Sequence, residues 1–152
     1  MVAKSIWGNI NWYLFHSMAY KLKDDNNHLI KPMFKLIKLI SSNLPCPQCS
    51  LESRYILNKI NINTIKTKED LIQVLFIFHN MVNKKLKKKA FTMDEHNNLY
   101  KKANLKKIIY RWYMIMSKES HGGYAMFNSI SHNTMRKNVM TFYSKNKNEF
   151  NN

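Results

Sequence analysis

An all-α fold is what this sequence predicts, and three observations predict it. The 152 residues include only three glycines and three prolines, too few for the many tight turns of a sheet of short strands. Apolar residues recur at helical spacing in several separate runs, and no stretch alternates convincingly as a half-buried strand would. A composition that is 45% hydrophobic and 12% aromatic, on a chain of this length, supports one folded domain with a real core and room for an appendage.

In chain order, Ile10, Tyr13, Leu14, Ser17 and Met18 mark one face of a helix over 9–22, with Trp12 and His16 on an adjoining stripe. Asp24-Asp25-Asn26-Asn27-His28 reads as a polar loop. Pro32 suits a first helical turn, and Met33, Leu36, Ile37 and Ile40 continue that helix until Asn43-Leu44-Pro45 ends it. A third helix starts within Cys46-Pro47-Gln48-Cys49 and runs towards Asn58, with 61–66 as a connection. Residues 68–86 form a strongly amphipathic helix with Leu71, Val74, Leu75, Phe78, Val82 and Leu86 inward. Thr92-Met93-Asp94-Glu95 has the capping-box pattern. It starts a helix near residue 93 that continues, with a bend, through Tyr100, Leu105, Ile108, Ile109 and Trp112. Beyond it, Tyr110, Trp112, Tyr113, Met114 and Met116 form an apolar cluster suited to packing on the bundle or to a dimer face. His121-Gly122-Gly123 is a break, and 134–146 form one more helix. The expectation is a helical bundle over residues 5–105, with residues 106–152 as a C-terminal extension.

The 25 basic and 9 acidic residues give a net charge of +16, which attracts nucleic acid, anionic membrane or acidic proteins. The lysines are spread along the chain and thicken only at Lys84-Lys85-Leu86-Lys87-Lys88-Lys89 and over 101–107. An ordinary solvated lysine surface therefore competes with a binding role, and the abundance of Asn, Lys and Ile fits an A/T-rich coding genome. No run of roughly 18 apolar residues is present, so no membrane span is expected. Residues 1–20 are broken by Trp7, Gly8, Asn9 and Asn11, so no secretory signal is expected either.

The two cysteines sit in one motif, which excludes a disulfide-scaffold protein; a bridge closing so short a loop adds little stability. At a helix start, unpaired N–H groups and the positive end of the dipole favour thiolate, so this spacing suits reversible redox cycling. The same spacing suits zinc. A structural zinc site wants about four ligands, however, no second cysteine pair exists, and His16, His79 and His96 form no paired spacing. Inert buried thiols are the third alternative. A thioredoxin fold needs βαβ units, which the helical pattern opposes, so a dithiol on this scaffold needs another electron acceptor. Trp12 and His16 stand four apart, as do His79 and Asn83, with Asn80 beside them. Such residues are commonly plain core, but buried amides and imidazoles need hydrogen-bonding partners. A polar aromatic heterocycle between helices would satisfy them, with Lys84 and Lys87 placed for phosphates.

These residues resemble a known family. Gly8 and Trp12-x-x-x-His16, Pro45-Cys46-x-x-Cys49 and His79-Asn80-x-Val82-Asn83 occur in the order found in the Erv/ALR FAD-linked sulfhydryl oxidases, with Arg54 and Lys84-Lys85-Leu86 as supporting details. The resemblance covers residues 5–105. It implies a four-helix bundle plus a short fifth helix, non-covalent FAD and a homodimer. It also implies oxidation of protein dithiols, with O2 as final acceptor and H2O2 as product. Carried over by position, Cys49 is the flavin-proximal sulfur and Cys46 the one attacked by substrate. Trp12 and His16 line the flavin, His79, Asn80 and Asn83 hold the adenine-ribose end, Lys84 and Lys87 meet the pyrophosphate, and Gly8 and Val82 complete the cofactor-binding set. No metal is implied. The chain departs from the family in lacking a second, shuttle cysteine pair and a further structural pair, and in having Asn9 where a basic residue is common. Substrate thiols must then reach Cys46 directly or through a small dithiol relay protein. Single-pair versions resemble the oxidases of large cytoplasmic DNA viruses, so host cytoplasm or virion is the expected location. The rival is a basic helical protein, without enzymatic activity, that binds nucleic acid or acidic virion components.

Overall fold

The computed structural model describes residues 2–118 and 125–152, with the side chains of 125–129 left aside; the break at 121–123 lies outside the described residues. Among these residues there are seven α-helices: α1 (Lys4–Lys21), α2 (Ile30–Ser41), α3 (Pro47–Asn58), α4 (Lys68–Lys85), α5 (Met93–Tyr100), α6 (Leu105–Lys118) and α7 (Ala125–Asn146). The one extended pairing among them is an isolated bridge between Leu22 and Phe150. The fold is all-α, as the sequence predicts.

Local chemistry sets the helix ends. Cys46 is the N-cap of α3, with Pro47 in the first turn, and its sulfur accepts the Cys49 N–H at 3.1 Å. A reciprocal capping box opens α4: Thr67 Oγ1 accepts from the Asp70 N–H at 3.1 Å, and the Asp70 carboxylate accepts from the Thr67 N–H at 3.0 Å. At Thr92 only half of the expected box is recorded. Its hydroxyl accepts the Glu95 N–H at 3.2 Å, while the Glu95 carboxylate faces Lys89 at 3.8 Å. The bend expected after Tyr100 is a full break, because Asn104 accepts the Lys107 N–H at 3.0 Å and starts α6 afresh.

Helix α1 is the centre of the molecule, packed against α4, α5 and α6. It begins at Lys4, earlier than residue 9, because Trp7 and Ile10 are already buried. Leu14, Phe15, Met18 and Ala19 join Met33, Phe34, Ile37 and Ile40 of α2 and Leu71, Leu75 and Phe78 of α4 in one core. The apolar cluster on α6 divides: Trp112 and Met116 are buried while Tyr110, Tyr113 and Met114 are exposed. Trp112 Nε1 donates to Asn11 Oδ1 at 2.7 Å, and Asn11 Nδ2 donates to the Trp7 carbonyl at 2.7 Å. Met135 and Val139 of α7 are buried too, and Arg136 donates to the Met116 carbonyl at 3.2 Å. The end of the chain returns to α1, where Phe150 is buried and the Asn151 N–H donates to the Lys21 carbonyl at 2.6 Å.

Because Trp112 is wholly buried and its N–H is paired, Trp112→Phe leaves Asn11 Oδ1 without its donor and lowers unfolding free energy by about 1–3 kcal/mol. Met114→Ala, on the exposed face, changes it by no more than about 0.5 kcal/mol. Urea midpoints at constant slope measure both.

Candidate functional site

Helices α1, α3 and α4, the ends of α2 and α5 and the segment 86–91 enclose a cavity of about 560 Å³, a size within the usual range for small-molecule and cofactor sites. Its flat wall is Trp12, stacked on His79 with ring centroids 4.0 Å apart and planes 10° from parallel. Phe78 meets Trp12 edge-on at 5.0 Å. Cys46 and Cys49 form a disulfide with a Cα–Cα separation of 5.2 Å. Cys49 lines the cavity, and Cys46 is half-buried outside the lining. The α3 N-terminus produces this asymmetry: the N-cap position holds Cys46 in extended backbone, and Cys49 follows inside the first turn.

Three histidines run inward behind the stacked rings. His16 Nε2 lies 2.9 Å from His79 Nδ1, and His16 Nδ1 lies 3.1 Å from His96 Nε2. His96 Nδ1 lies 2.9 Å from the Tyr20 hydroxyl, which donates to Asn97 Oδ1 at 2.5 Å. Burial holds all three imidazoles below their ordinary pKa: His16 well below it, His79 at about 3 and His96 at about 4. The other histidines add to the lowering at His16, and His96 and Lys88 add to it at His79. Burial likewise raises the Tyr20 hydroxyl to about 12.

The residues singled out in the sequence divide in space. Gly8, Trp12, Cys49, His79, Val82 and Asn83 line the cavity. His16 does not; it is fully buried behind Trp12 and His79. Asn80 is also absent from the lining, because the Phe91 backbone uses both ends of its amide, donating to Oδ1 at 2.9 Å and accepting from Nδ2 at 3.0 Å. Lys84 and Lys87 do not line it either, whereas Lys85, Lys88 and Lys89 do. For Lys88 and Lys89 the reason is the end of α4. Lys87 takes a left-handed φ of 56°, its N–H bonds the Lys84 carbonyl at 3.1 Å, and the Lys88 N–H bonds the Asn83 carbonyl at 2.8 Å. This Schellman closure sends the chain back towards the cavity, and the Asn80 clamp on Phe91 secures it there. Lys4, one turn before Gly8, supplies a basic group from α1 that Asn9 does not. Arg54 is exposed outside the lining.

The residues present fit a flat, phosphate-bearing cofactor. Ser41 lines the cavity, is 1% exposed, and its hydroxyl has no hydrogen-bond partner. An unpaired buried hydroxyl carries a desolvation cost that a polar ligand edge removes. A Cβ on Gly8 would meet nothing within 4 Å, so the glycine leaves open space beside the ring wall. Two of the lysines already face carboxylates, Lys85 with Glu52 at 3.5 Å and Lys89 with Glu95 at 3.8 Å. Among the described residues neither Lys4 nor Lys88 has an ion pair of this kind.

Acid stability follows from the histidine burial. Below pH 6.5 the unfolded chain binds protons at these imidazoles that the folded chain refuses, so stability falls as pH drops towards the folded values of about 4 and about 3. Melting temperature should decline between pH 6.5 and 4.5 on the order of 5 °C per pH unit. Asp70 and Glu52, whose carboxyls are lowered by hydrogen bonds, add their loss only below their own ordinary range. A melting temperature flat from pH 7 to 5 contradicts the burial of these rings.

A sequence model of the Erv1 / Alr family matches residues 9–103. A protein of African swine fever virus from a Kenyan pig isolate, named FAD-linked sulfhydryl oxidase, is 35% identical over 107 residues, covering 68% of this chain and 87% of that protein. Proteins of the same name from a Namibian warthog isolate and a Malawian tick isolate of that virus are each 33% identical over the same shares. No solved structure matches the chain significantly. The matched span starts just after Gly8 and runs from Trp12 through the disulfide to the end of α5, so it contains the stacked wall, the sulfur beside it and the histidines behind it. With more than half of the chain inside the family's pattern, this chain belongs to the Erv1 / Alr family.

Proposed function

We propose that this chain is an FAD-dependent thiol oxidase that forms disulfides in protein substrates through Cys46 and Cys49. The observation that carries the reading is that Cys49 and the stacked Trp12–His79 pair open on the same cavity, so a redox sulfur and a planar-ring site face one space. FAD held in this cavity would supply the two-electron acceptor that the chain lacks, with O2 as the final acceptor and H2O2 as product. The chain supplies placement. A substrate thiolate attacks Cys46 Sγ, forms a mixed disulfide and releases Cys49 as thiolate, which the α3 N-terminus favours. The second substrate thiolate then displaces Cys46, leaving the substrate oxidised and both cysteines reduced. The Cys46–Cys49 bond re-forms as the electron pair leaves through Cys49. Cys46 lies outside the cavity lining, which supports it as the attacked sulfur.

In this reading Trp12, His79, Val82 and Asn83 touch the cofactor, Gly8 gives it clearance, and Ser41 bonds a polar edge of it. Lys4, Lys85, Lys88 and Lys89 neutralise its phosphates, while His16 and Asn80 support from behind. No helix among the described residues is long and apolar enough to cross a membrane. The homodimer, the site of action in host cytoplasm or virion, and the division into a catalytic region (1–105) and an extension (106–152) belong to the same proposal. With one cysteine pair in the chain, substrate dithiols arrive directly or through a small dithiol relay protein.

The purified protein should be yellow, with flavin absorption bands and one FAD per chain; a colourless protein that takes up no added FAD ends this reading. Cys49→Ser should keep the flavin and reduce dithiol-dependent oxygen consumption to background. Gly8→Ala separates folding from binding. It should stabilise the cofactor-free protein by about 1 kcal/mol, since the glycine is inside α1 and the new Cβ meets no atom, yet weaken FAD binding by filling clearance. Thermal melts with and without FAD, and a flavin titration, read the two effects.

A further inference from the structure

The three buried histidines form a chain with a direction. Each is neutral at ordinary pH, so each carries one ring N–H and one lone pair. The Tyr20 hydroxyl spends its proton on Asn97 Oδ1, so towards His96 it presents only its oxygen, and His96 must donate from Nδ1. His96 Nε2 then accepts, so His16 donates from Nδ1; His16 Nε2 accepts in turn, so His79 donates from Nδ1. Every tautomer is fixed by the one before it. The end of the chain is Nε2 of His79, a lone-pair acceptor on a residue that lines the cavity.

The same three rings bring nitrogens within 4.8 Å of one another, a spacing that invites a metal ion. A single ion takes one nitrogen from each ring. Here His16 spends its two nitrogens on two different neighbours, so the arrangement is a line and not a tripod. Carboxylates or backbone carbonyls, which commonly orient a ligating imidazole from outside, are replaced by Tyr20 and Asn97 at the far end alone.

We propose that Tyr20, His96 and His16 are positioning residues that lock His79 in the Nδ1–H tautomer, so that it meets the bound cofactor as a hydrogen-bond acceptor for an N–H or O–H group. This deepens the assignment of His79 to the FAD site and rests on that reading for the identity of the ligand only. Neutral imidazole prefers its proton on Nε2, where His79 would be a donor to the cavity; an acceptor there needs the imposed direction. The burial of the chain serves the same end, since an imidazolium anywhere along it has protons on both nitrogens and breaks the order.

Long-range 1H–15N correlation of histidine-labelled protein at pH 7.5 reads the tautomers directly, with resonances assigned by point variants. The wild type should show His16, His79 and His96 all protonated on Nδ1. Tyr20→Phe keeps the ring and removes the anchor, and should move the protons of all three towards Nε2 and weaken FAD binding roughly 3- to 10-fold. His96→Leu should do the same. His96→Gln should rescue both readouts, because the amide oxygen stands where Nε2 stood and still accepts from His16. A wild-type His79 protonated on Nε2, a Tyr20→Phe spectrum unchanged at all three rings, or one zinc per purified chain overturns the relay. Should the protein take up no FAD, the oxidase reading falls, while the tautomer spectrum still decides the relay.

Discussion

Buried polar groups on α1 constrain this molecule more than its apolar surface does. A helix surrounded on several sides by others would be easiest to bury if wholly apolar, yet α1 carries Asn11, His16, Ser17 and Tyr20 into the interior. A buried amide, imidazole or phenol without a partner costs on the order of 1–3 kcal/mol, so each restricts what can pack beside it. The partners come from different elements: Trp112 of α6 for Asn11, His79 of α4 and His96 of α5 for His16, and Asn97 of α5 for Tyr20. Apolar contact alone leaves helices free to slide and rotate by small amounts; these bonds fix their rotation about α1. The rings that form the cavity wall are thus set by the same residues that set the bundle.

That dependence explains what the sequence made legible and what it did not. Helical periodicity located α2 and α4 closely, because each has a run of apolar residues with a polar boundary. The start of α3 was placed within Cys46-Pro47-Gln48-Cys49, and the structure makes Cys46 its N-cap with Pro47 in the first turn. Ser41, by contrast, looks like any helix-terminal serine; only the packed structure shows that its hydroxyl is buried against a cavity. His96 reads as one polar residue in Asp94-Glu95-His96-Asn97, and nothing local ties it to Tyr20, 76 residues away. The sequence pointed to Lys84 and Lys87, whereas Lys85, Lys88 and Lys89 line the cavity. A regular helix through Lys84 and Lys87 puts them near His79 and Asn83, but Lys85 is the last residue of α4 to line the cavity, and the left-handed φ at Lys87 reverses the chain and brings Lys88 and Lys89 round. A glycine at that position would have signalled the turn; a lysine conceals it.

Asn80 illustrates how a motif residue can serve a site without entering it. Its amide satisfies both backbone groups of Phe91, as a neighbouring strand would, and so holds the returning segment against α4. Phe91 in turn lies 5.1 Å from the His79 ring. Two residues apart from the cavity, Asn80 and Lys87, therefore place Lys88 and Lys89 at it. The sequence pattern His79-Asn80-x-Val82-Asn83 combines wall residues with the fastening for the loop that completes the wall.

Some local penalties lie at this cavity, although Ser17 also buries an unpaired hydroxyl and Asp25 also has a left-handed φ, and neither lines it. Gly8 sits inside α1, where alanine would be about 1 kcal/mol more favourable. Ser41 buries an unpaired hydroxyl, Lys87 occupies backbone that a side chain disfavours by about 1–2 kcal/mol, and several ammonium groups crowd one opening. None of these improves the bundle as a fold, and each would be relieved by a simple substitution. A ligand that bonds the hydroxyl and neutralises the lysines offsets the second and fourth of them. By mass action such a ligand adds RT ln(1 + [L]/Kd) to folding stability, about 2.7 kcal/mol at a hundredfold excess over Kd. In the proposed FAD-bound state, occupancy of the cavity would offset the unpaired hydroxyl and the crowded lysines beside it.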